Sequence, residues 1–432
     1  MLRSMQRDPL ALLLELAHTY GEVARFNLGP QWLELVSHPD HNRLVLLDES
    51  DKFDKQSRGY DMLRPLLGNG LLLSEGDFWF RQRRLMQPAF HRQRLASFVQ
   101  AMAKCTGEML DQWEPIAKRR GTIDVAQEMM KLTLRIVSET LLGADVRADS
   151  GRVGKALTYS LHFAQERINS LFAFVDSLPT LGRIRFELAR RTLDSIVLQT
   201  IRDHRTRGDT GDLLSMLLAA RDEDSGQQMN DRQLRDEVMT IFLAGHETTA
   251  IALTWTWMLL SQHPDARRKV RDEARTVLGG RAPGVGELAS LRYGHMVLQE
   301  SMRLYPPVWT VGRHARQTVR FGEFDVPKGD IVFVSPYVMH RHPKYWPDAE
   351  RFDPERFTPE RAADLSRFVY MPFIQGPRKC IGDAFAMTEA QVVLAMVSQR
   401  YALERVSAAQ PECDPSITLR ARGGLQVRVL PA

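Results

Sequence analysis

The 432-residue sequence predicts a mainly α-helical protein with small β-sheets, and three observations carry that prediction. Apolar residues recur at helical spacing from Leu95 to about Arg207, punctuated only by Gly121, Gly143 and Gly151. The most apolar helix of the chain then runs from Leu234 to Leu260. Strand signals, by contrast, are few and short, and most lie beside Gly or Pro turns. No linker, repeat or low-complexity tract divides the chain, so residues 1–432 are expected to form a single domain.

Taken in order, residues 8–20 read as an amphipathic helix with Leu10, Leu13, Leu14 and Ala17 along one side, ended by Gly21. Val23–Leu28 and Trp32–Val36 flank Gly29-Pro30 as a hairpin. Residues 57–76 are rich in Gly and Leu with weak periodicity, which predicts a long loop with at most a short helix. A helix holding Trp79-Phe-Arg-Gln-Arg83 ends near Phe90. Two helices within 157–203 are expected to join near Leu171–Gly182, where Pro179 breaks the pattern. Pro264–Leu278 and Leu291–Leu304 are further helices, the second stopped by Pro306-Pro307. Val308–Val311, Arg313–Ala315 and Ile331–Val334 are short extended segments. Ile417–Arg420 and Leu425–Val429 flank Gly423-Gly424 as a closing hairpin.

Composition excludes several functions. The 58 Lys+Arg against 53 Asp+Glu leave a net charge of only +5, scattered along the chain, which does not suit nucleic-acid binding. The three cysteines, Cys105, Cys380 and Cys413, offer neither a disulfide framework nor zinc spacing and fit a reducing compartment. No signal peptide or bilayer-length apolar run is visible, so a cytoplasmic protein without a membrane anchor is expected.

Two stretches carry chemistry. Phe373-Ile-Gln-Gly-Pro-Arg-Lys-Cys-Ile-Gly382 sets Cys380 in a glycine-bounded loop. Gly376 and Gly382 should let the backbone wrap closely around a bound group. Arg378, Lys379 and the N-terminus of the helix that follows should favour the thiolate, a soft metal ligand or nucleophile. The second stretch, Ala244-Gly-His-Glu-Thr-Thr249, puts polar residues inside the most apolar helix. Thr240, Ala244 and Thr248 share a face there, Gly245 should let a flat ligand approach, and the Thr248 hydroxyl can bond the Ala244 carbonyl. Trp79 and Arg83, four apart, can both donate to an anion.

These residues resemble the cytochrome P450 family. Phe373, Gly376, Arg378, Cys380, Gly382 and Ala386 match its haem-binding loop, with Ile381 beside the cysteine. Ala244-Gly-x-Glu-Thr-Thr resembles its oxygen-activation helix, and the motifs occur in the family's order along nearly the whole chain. The resemblance implies a long central helix over a b-type haem and a Cys-ligand loop beneath it, with Cys380 the axial thiolate. Ala244 and Gly245 would lie over the haem, Glu247 would relay protons, and Thr248 would hold the bound oxygen and its water. Trp79, Arg83 and Arg313 would contact the propionates. Val308, Val311 and Thr240 would line an apolar pocket. Glu300 and Arg303 would form a buried pair with Arg356 of Pro354-Glu-Arg-Phe357 as third partner. Residues 57–76 and the 171–182 connector would lie over the substrate.

The implied activity is a monooxygenase inserting one O2-derived oxygen atom into an apolar organic substrate. Its electrons would come from NAD(P)H through a separate ferredoxin or flavodoxin. Arg81, Arg84, Arg92, Arg94 and Lys379 are the expected docking face, and a monomer is expected. A peroxide-driven hydroxylase, an isomerase or dehydratase, and a haem sensor or carrier are the rivals; retention of Glu247 and Thr248 argues against the first two.

Overall fold

The computed structural model describes residues 1–90, 92–141, 143, 150–170, 180–208, 211–222 and 226–432. Helices dominate it, as the periodicity predicts. The central one, Asp231–Gln262, is opened by a capping box in which Asn230 and Gln233 satisfy each other's backbone N–H groups. It is unbroken through Ala244–Thr249. Nearly every side chain from Leu234 to Leu260 is buried, which is why the sequence there is apolar all round rather than striped. It packs on Val125–Leu141, where a Cβ added to Gly245 would meet Val137 Cγ2 at 3.1 Å. Gly245 thus lets the two helices approach closely.

A five-stranded sheet runs in the order Val23–Leu28, Gln31–Val36, Ile331–Val334, Val311–Ala315, Phe53–Asp54. Its one parallel pair joins Gln31–Val36 to Ile331–Val334. A second sheet sets Gln426–Pro431 between Thr122–Asp124 and Tyr401–Arg405. The expected closing hairpin does not form, because Leu419–Ala421 pairs with Cys413–Pro415 instead. Gly423 and Gly424 do turn the chain with positive φ, but Val427 and Val429 go fully buried into the main core, which the second sheet covers.

Residues 57–76 hold a ten-residue helix, Arg58–Leu67, more ordered than the weak periodicity suggested. Helices Ser150–Asn169 and Leu181–Arg207 flank the expected 171–182 connector, of which residues 171–179 lie outside the described ones. No helix among the described residues is long and apolar enough to cross a membrane.

Candidate functional site

The cysteine loop is built backward from its glycines. Gly376 has φ +77°, and a Cβ there would lie 1.7 Å from the Leu46 carbonyl oxygen, so only glycine fits. Gly382, by contrast, has an ordinary φ of −96°, and its added Cβ would sit 3.8 Å from Phe90 in normal contact. Gly376 is therefore required by the fold of the loop itself, whereas Gly382 meets no protein group that demands a glycine. Cys380 N–H donates to the Phe373 carbonyl at 3.0 Å and Lys379 N–H to that of Gly376 at 3.0 Å, closing the loop just before helix Asp383–Arg400. Ile374 is held at φ +56°, a strained value for a β-branched residue.

Cys380 is exposed by area, yet enough protein surrounds it to desolvate the sulfur. The two go together where a side chain faces an enclosed cleft. Burial raises its thiol pKa, and the Gly382 N–H, Arg83 and Lys379 only partly offset that. Burial thus outweighs the cations that the sequence places beside the sulfur. Arg378 is spent on Glu75 (2.5 Å) and on the Trp79 ring (3.8 Å), and Lys379 on Asp383 (2.5 Å). The thiolate form needs a coordinated metal, which deprotonates a thiol outright.

Above Glu75 lies a group of cations. Arg83 donates to the Lys379 carbonyl at 2.9 Å, tying the Trp79 helix to the cysteine loop. Arg378 also donates to the Ser74 carbonyl at 2.8 Å. Arg313, buried, reaches the Tyr60 hydroxyl at 3.4 Å. Lys55, buried, donates to the Leu72 carbonyl at 2.5 Å. Burial and then Arg313 and Arg378 hold the Lys55 pKa well below the usual lysine value, with Arg83 adding to them and Glu75 opposing. Burial likewise pushes Arg378 down to about 10. Arg378 pairs with Glu75; Lys55, Arg313 and Arg83 crowd close enough to perturb one another beside it, and Arg83 also faces Asp383. Such a cluster is set for a dianion, and the two carboxylates of a b-type haem fit it. Sequence reasoning missed Lys55, Tyr60 and Glu75; nothing in their local pattern marks them.

On the central helix, Ala244 is exposed amid buried neighbours and Thr248 is half-buried, so their shared face borders an open space. Thr248 Oγ1 donates to the Ala244 carbonyl at 2.7 Å, as its position suggested. Thr240 departs from expectation: it is buried, its hydroxyl donates to the Asp236 carbonyl at 2.8 Å, and it would lie 2.2 Å from a Cβ on Gly70. It packs against the loop after Arg58–Leu67, which Asp236 and Glu237 hold through the Asn69 and Leu71 N–H groups. Val308 and Val311 are half-buried.

Glu247 does not reach toward Thr248. Its Oε1 accepts from Thr418 Oγ1 at 2.7 Å and from Arg420 Nε at 2.7 Å, with Arg420 Nη2 a further donor. Trp255 Nε1, donating to the Leu419 carbonyl at 2.8 Å, pins that strand against the helix.

The Glu300 group assembles as the resemblance implied. Arg303 forks onto Glu300 at 2.7 and 2.9 Å, with both side chains fully buried, and donates to the carbonyls of His340, Ala349 and Arg351. Arg356 Nε stands 3.5 Å from Glu300 Oε1. The expected docking cations are engaged within the chain: Arg84 with Asp222 at 2.6 Å and Arg81 with Gln227 at 3.4 Å. The side chains of Arg92 and Arg94 lie outside the described ones.

Comparison with known proteins agrees with this geometry. The family model described as Cytochrome P450 matches residues 1–426. Cyclooctatin synthase of Streptomyces melanosporofaciens is 36% identical over 421 residues, covering 96% of this chain and 90% of its own length. Pentalenene oxygenase of Streptomyces avermitilis is 36% identical over 406 residues, 91% of this chain and 87% of its own. Leukotriene-B4 omega-hydroxylase 3 of Mus musculus is 33% identical over 445 residues, 97% of this chain and 84% of its own. With such a match along the whole chain, and a lone cysteine loop facing a buried cation cluster, this chain belongs to the cytochrome P450 family and is a haem-thiolate monooxygenase that uses O2.

Proposed function

We propose that residues 1–432 form one haem domain that oxygenates an apolar, hydrocarbon-rich substrate with electrons drawn from NAD(P)H through a ferredoxin or flavodoxin. The observation that carries the site assignment is the cation cluster of Lys55, Arg83, Arg313 and Arg378 beside Glu75, next to an accessible Cys380. The bound haem supplies O2 activation and oxygen transfer; the rest is the work of this chain. Cys380 would give the sulfur ligand, in the loop closed by the Phe373 and Gly376 carbonyls. The four cations and the Trp79 indole hold the carboxylates. Ile381, Gly382 and Ala386 continue the cysteine side of the cleft into its helix. Ala244 leaves room on the opposite side, with Gly245 setting how closely that helix lies on its neighbour. Val308 and Val311 give the substrate an apolar wall. Glu300, Arg303 and Arg356 lock the segment that precedes the cysteine loop.

Thr248 holds a proton at Oγ1 and must turn from the Ala244 carbonyl to pass it on. Glu247 is ion-paired and relays protons only when Arg420 or Thr418 releases Oε1. Hydrocarbon-like substrates are supported by the relatives' names, which include pentalenene and cyclooctat-9-en-7-ol. A monomer in the cytoplasm fits three cysteines that are all free. The deciding experiment pairs a ligand screen for the haem spin-state shift with the ferrous–CO spectrum. The wild type should show the red-shifted thiolate Soret band, and Cys380→Ser should lose it. Survival of the band in the variant would overturn the assignment of Cys380.

A further inference from the structure

A cleft of about 540 Å³ opens beside the helix that follows the cysteine loop, and it shares no lining residue with the haem site described above. Two helices face each other across it. Arg292, His295, Met296 and Gln299 recur at helical spacing on Arg292–Leu304, and Ala384, Thr388 and Gln391 do so on Asp383–Arg400. Residues three and four apart share a helix face, so each set forms one stripe. Packed helices ordinarily fill the space between such stripes with side chains. Here the space stays open, and its volume is that of a small-molecule site rather than of a void for one water. Leu288, Leu291, Phe357 and Val99, all buried, give the cleft an apolar lining.

The polar groups are few. No acid is found among the described residues that line the cleft, and Arg292 is the one charged group there. Arg292 is exposed and makes no hydrogen bond or ion pair with any described residue. His295 is half-buried, and burial holds its pKa below the usual histidine value, with Gln391 opposing. Its ring therefore adds a neutral polar edge and no second cation. Acids close in sequence are engaged elsewhere: Glu287 with the Gly284 N–H at 3.0 Å and Arg281 at 3.9 Å, and Asp383 with Lys379 at 2.5 Å. One unpaired guanidinium beside neutral amides and an apolar wall suits an amphiphile with a single negative charge. A phosphate dianion would need more than one cation.

We propose that this cleft is a second small-molecule site, separate from the substrate's, which takes an apolar carboxylic acid with its chain on Leu288, Leu291 and Phe357 and its carboxylate at Arg292. The acid would brace Arg292–Leu304 against Asp383–Arg400, and so stabilise the segment that carries Glu300 and Arg303. The inference is independent of which substrate the enzyme oxygenates.

The test is equilibrium dialysis of labelled decanoate against the haem-loaded enzyme, with the haem site saturated by an azole that ligates the iron. The wild type should bind one decanoate, leave the azole spectrum unchanged and melt at a higher temperature with the acid than without it. Arg292→Glu, an exposed change, should weaken binding about tenfold or more, and Arg292→Lys should keep most of it. Decanol, without the charge, should bind far more weakly than decanoate. Thr388→Phe, which fills the cleft, should abolish binding while haem content and the azole spectrum stay as in wild type. No decanoate bound by the azole-saturated wild type overturns the proposal, and so does equal affinity in wild type and Arg292→Glu. Binding that the azole competes away would place the acid in the substrate pocket and overturn it too. If Arg292→Glu slows reduction by a ferredoxin yet leaves decanoate binding intact, the arginine serves protein docking and the proposal falls. Should Thr388→Phe fail to fold, Arg292→Glu and the comparison with decanol decide the matter.

Discussion

Arg303→Met should unfold this protein more readily than any single surface change, and the structure sets the size of the effect. The guanidinium forks onto Glu300 and also serves three main-chain carbonyls, all in a region closed to solvent. Removing one side of a buried ion pair costs about 3–5 kcal/mol, and here Glu300 keeps only Arg356, at 3.5 Å, as a counter-charge. Each carbonyl that loses its donor adds on the order of 1 kcal/mol. The loss is comparable to the whole stability of a domain, about 5–15 kcal/mol. Urea denaturation of the haem-free protein is the assay, with fluorescence of Trp346, whose ring lies 5.1 Å from the Arg303 guanidinium, as the local reporter. Arg303→Lys should be nearly as damaging, since a single ammonium cannot fork onto Glu300 and reach the carbonyls as well. The double variant Glu300→Leu with Arg303→Met should be more stable than Arg303→Met alone, because the fully buried Glu300 carboxylate is no longer left with only Arg356, at 3.5 Å, to match it. An Arg303→Met protein within about 1 kcal/mol of wild type would refute the reasoning, as would a double variant weaker than the single.

Thr248→Ala should still bind substrate and consume NADPH but release more peroxide per product; an unchanged product-to-NADPH ratio would remove Thr248 from proton delivery. Gly376→Ala should abolish haem uptake and cost more than about 2 kcal/mol, since its Cβ would overlap the Leu46 carbonyl, whereas Gly382→Ala should fold and load normally. Parallel haem titrations of the two variants check that contrast. Glu34, nearly inaccessible, has its pKa raised to about 8 by burial and then by Asp330. Its folded-state value exceeds the unfolded one, so ionising it destabilises the fold increasingly as pH rises from about 4.5 to about 8. Glu34→Gln should therefore gain on wild type across that window, by on the order of 3 kcal/mol at most because Arg25 loses one of its two carboxylate partners and keeps Asp330, and thermal melts at pH 5 and pH 8 measure it.

Much of the architecture was legible because periodicity and punctuation are local. The central helix, the stop at Pro306-Pro307 and the Gly29-Pro30 hairpin follow from neighbouring residues alone, and the structure keeps them. The closing hairpin failed for a reason local pattern cannot hold. Strand Gln426–Pro431 finds its partners some 20 and 300 residues away, at Tyr401–Arg405 and Thr122–Asp124. Motif residues were found where the chemistry needs a fixed spacing, as for Cys380 between Phe373 and Gly382 or Glu300 three before Arg303.

What spacing cannot convey is which way a side chain turns. Glu247 sits beside Thr248 in sequence, yet successive helical residues point about 100° apart, so it meets Arg420 on a distant strand instead. Arg378 adjoins a residue next to the cysteine, yet its charge goes to Glu75 and Trp79, and the sulfur is left with a raised pKa. Lys55 is an isolated lysine until the fold brings it to Arg313 and Arg378. Glu389 follows the same logic: nothing in Ala386-Met-Thr-Glu389-Ala marks it as buried, and only the packing of its helix makes it inaccessible. Electrostatic character at this site is thus a property of pairs distant in sequence. A substitution there acts through whichever partner is left unmatched.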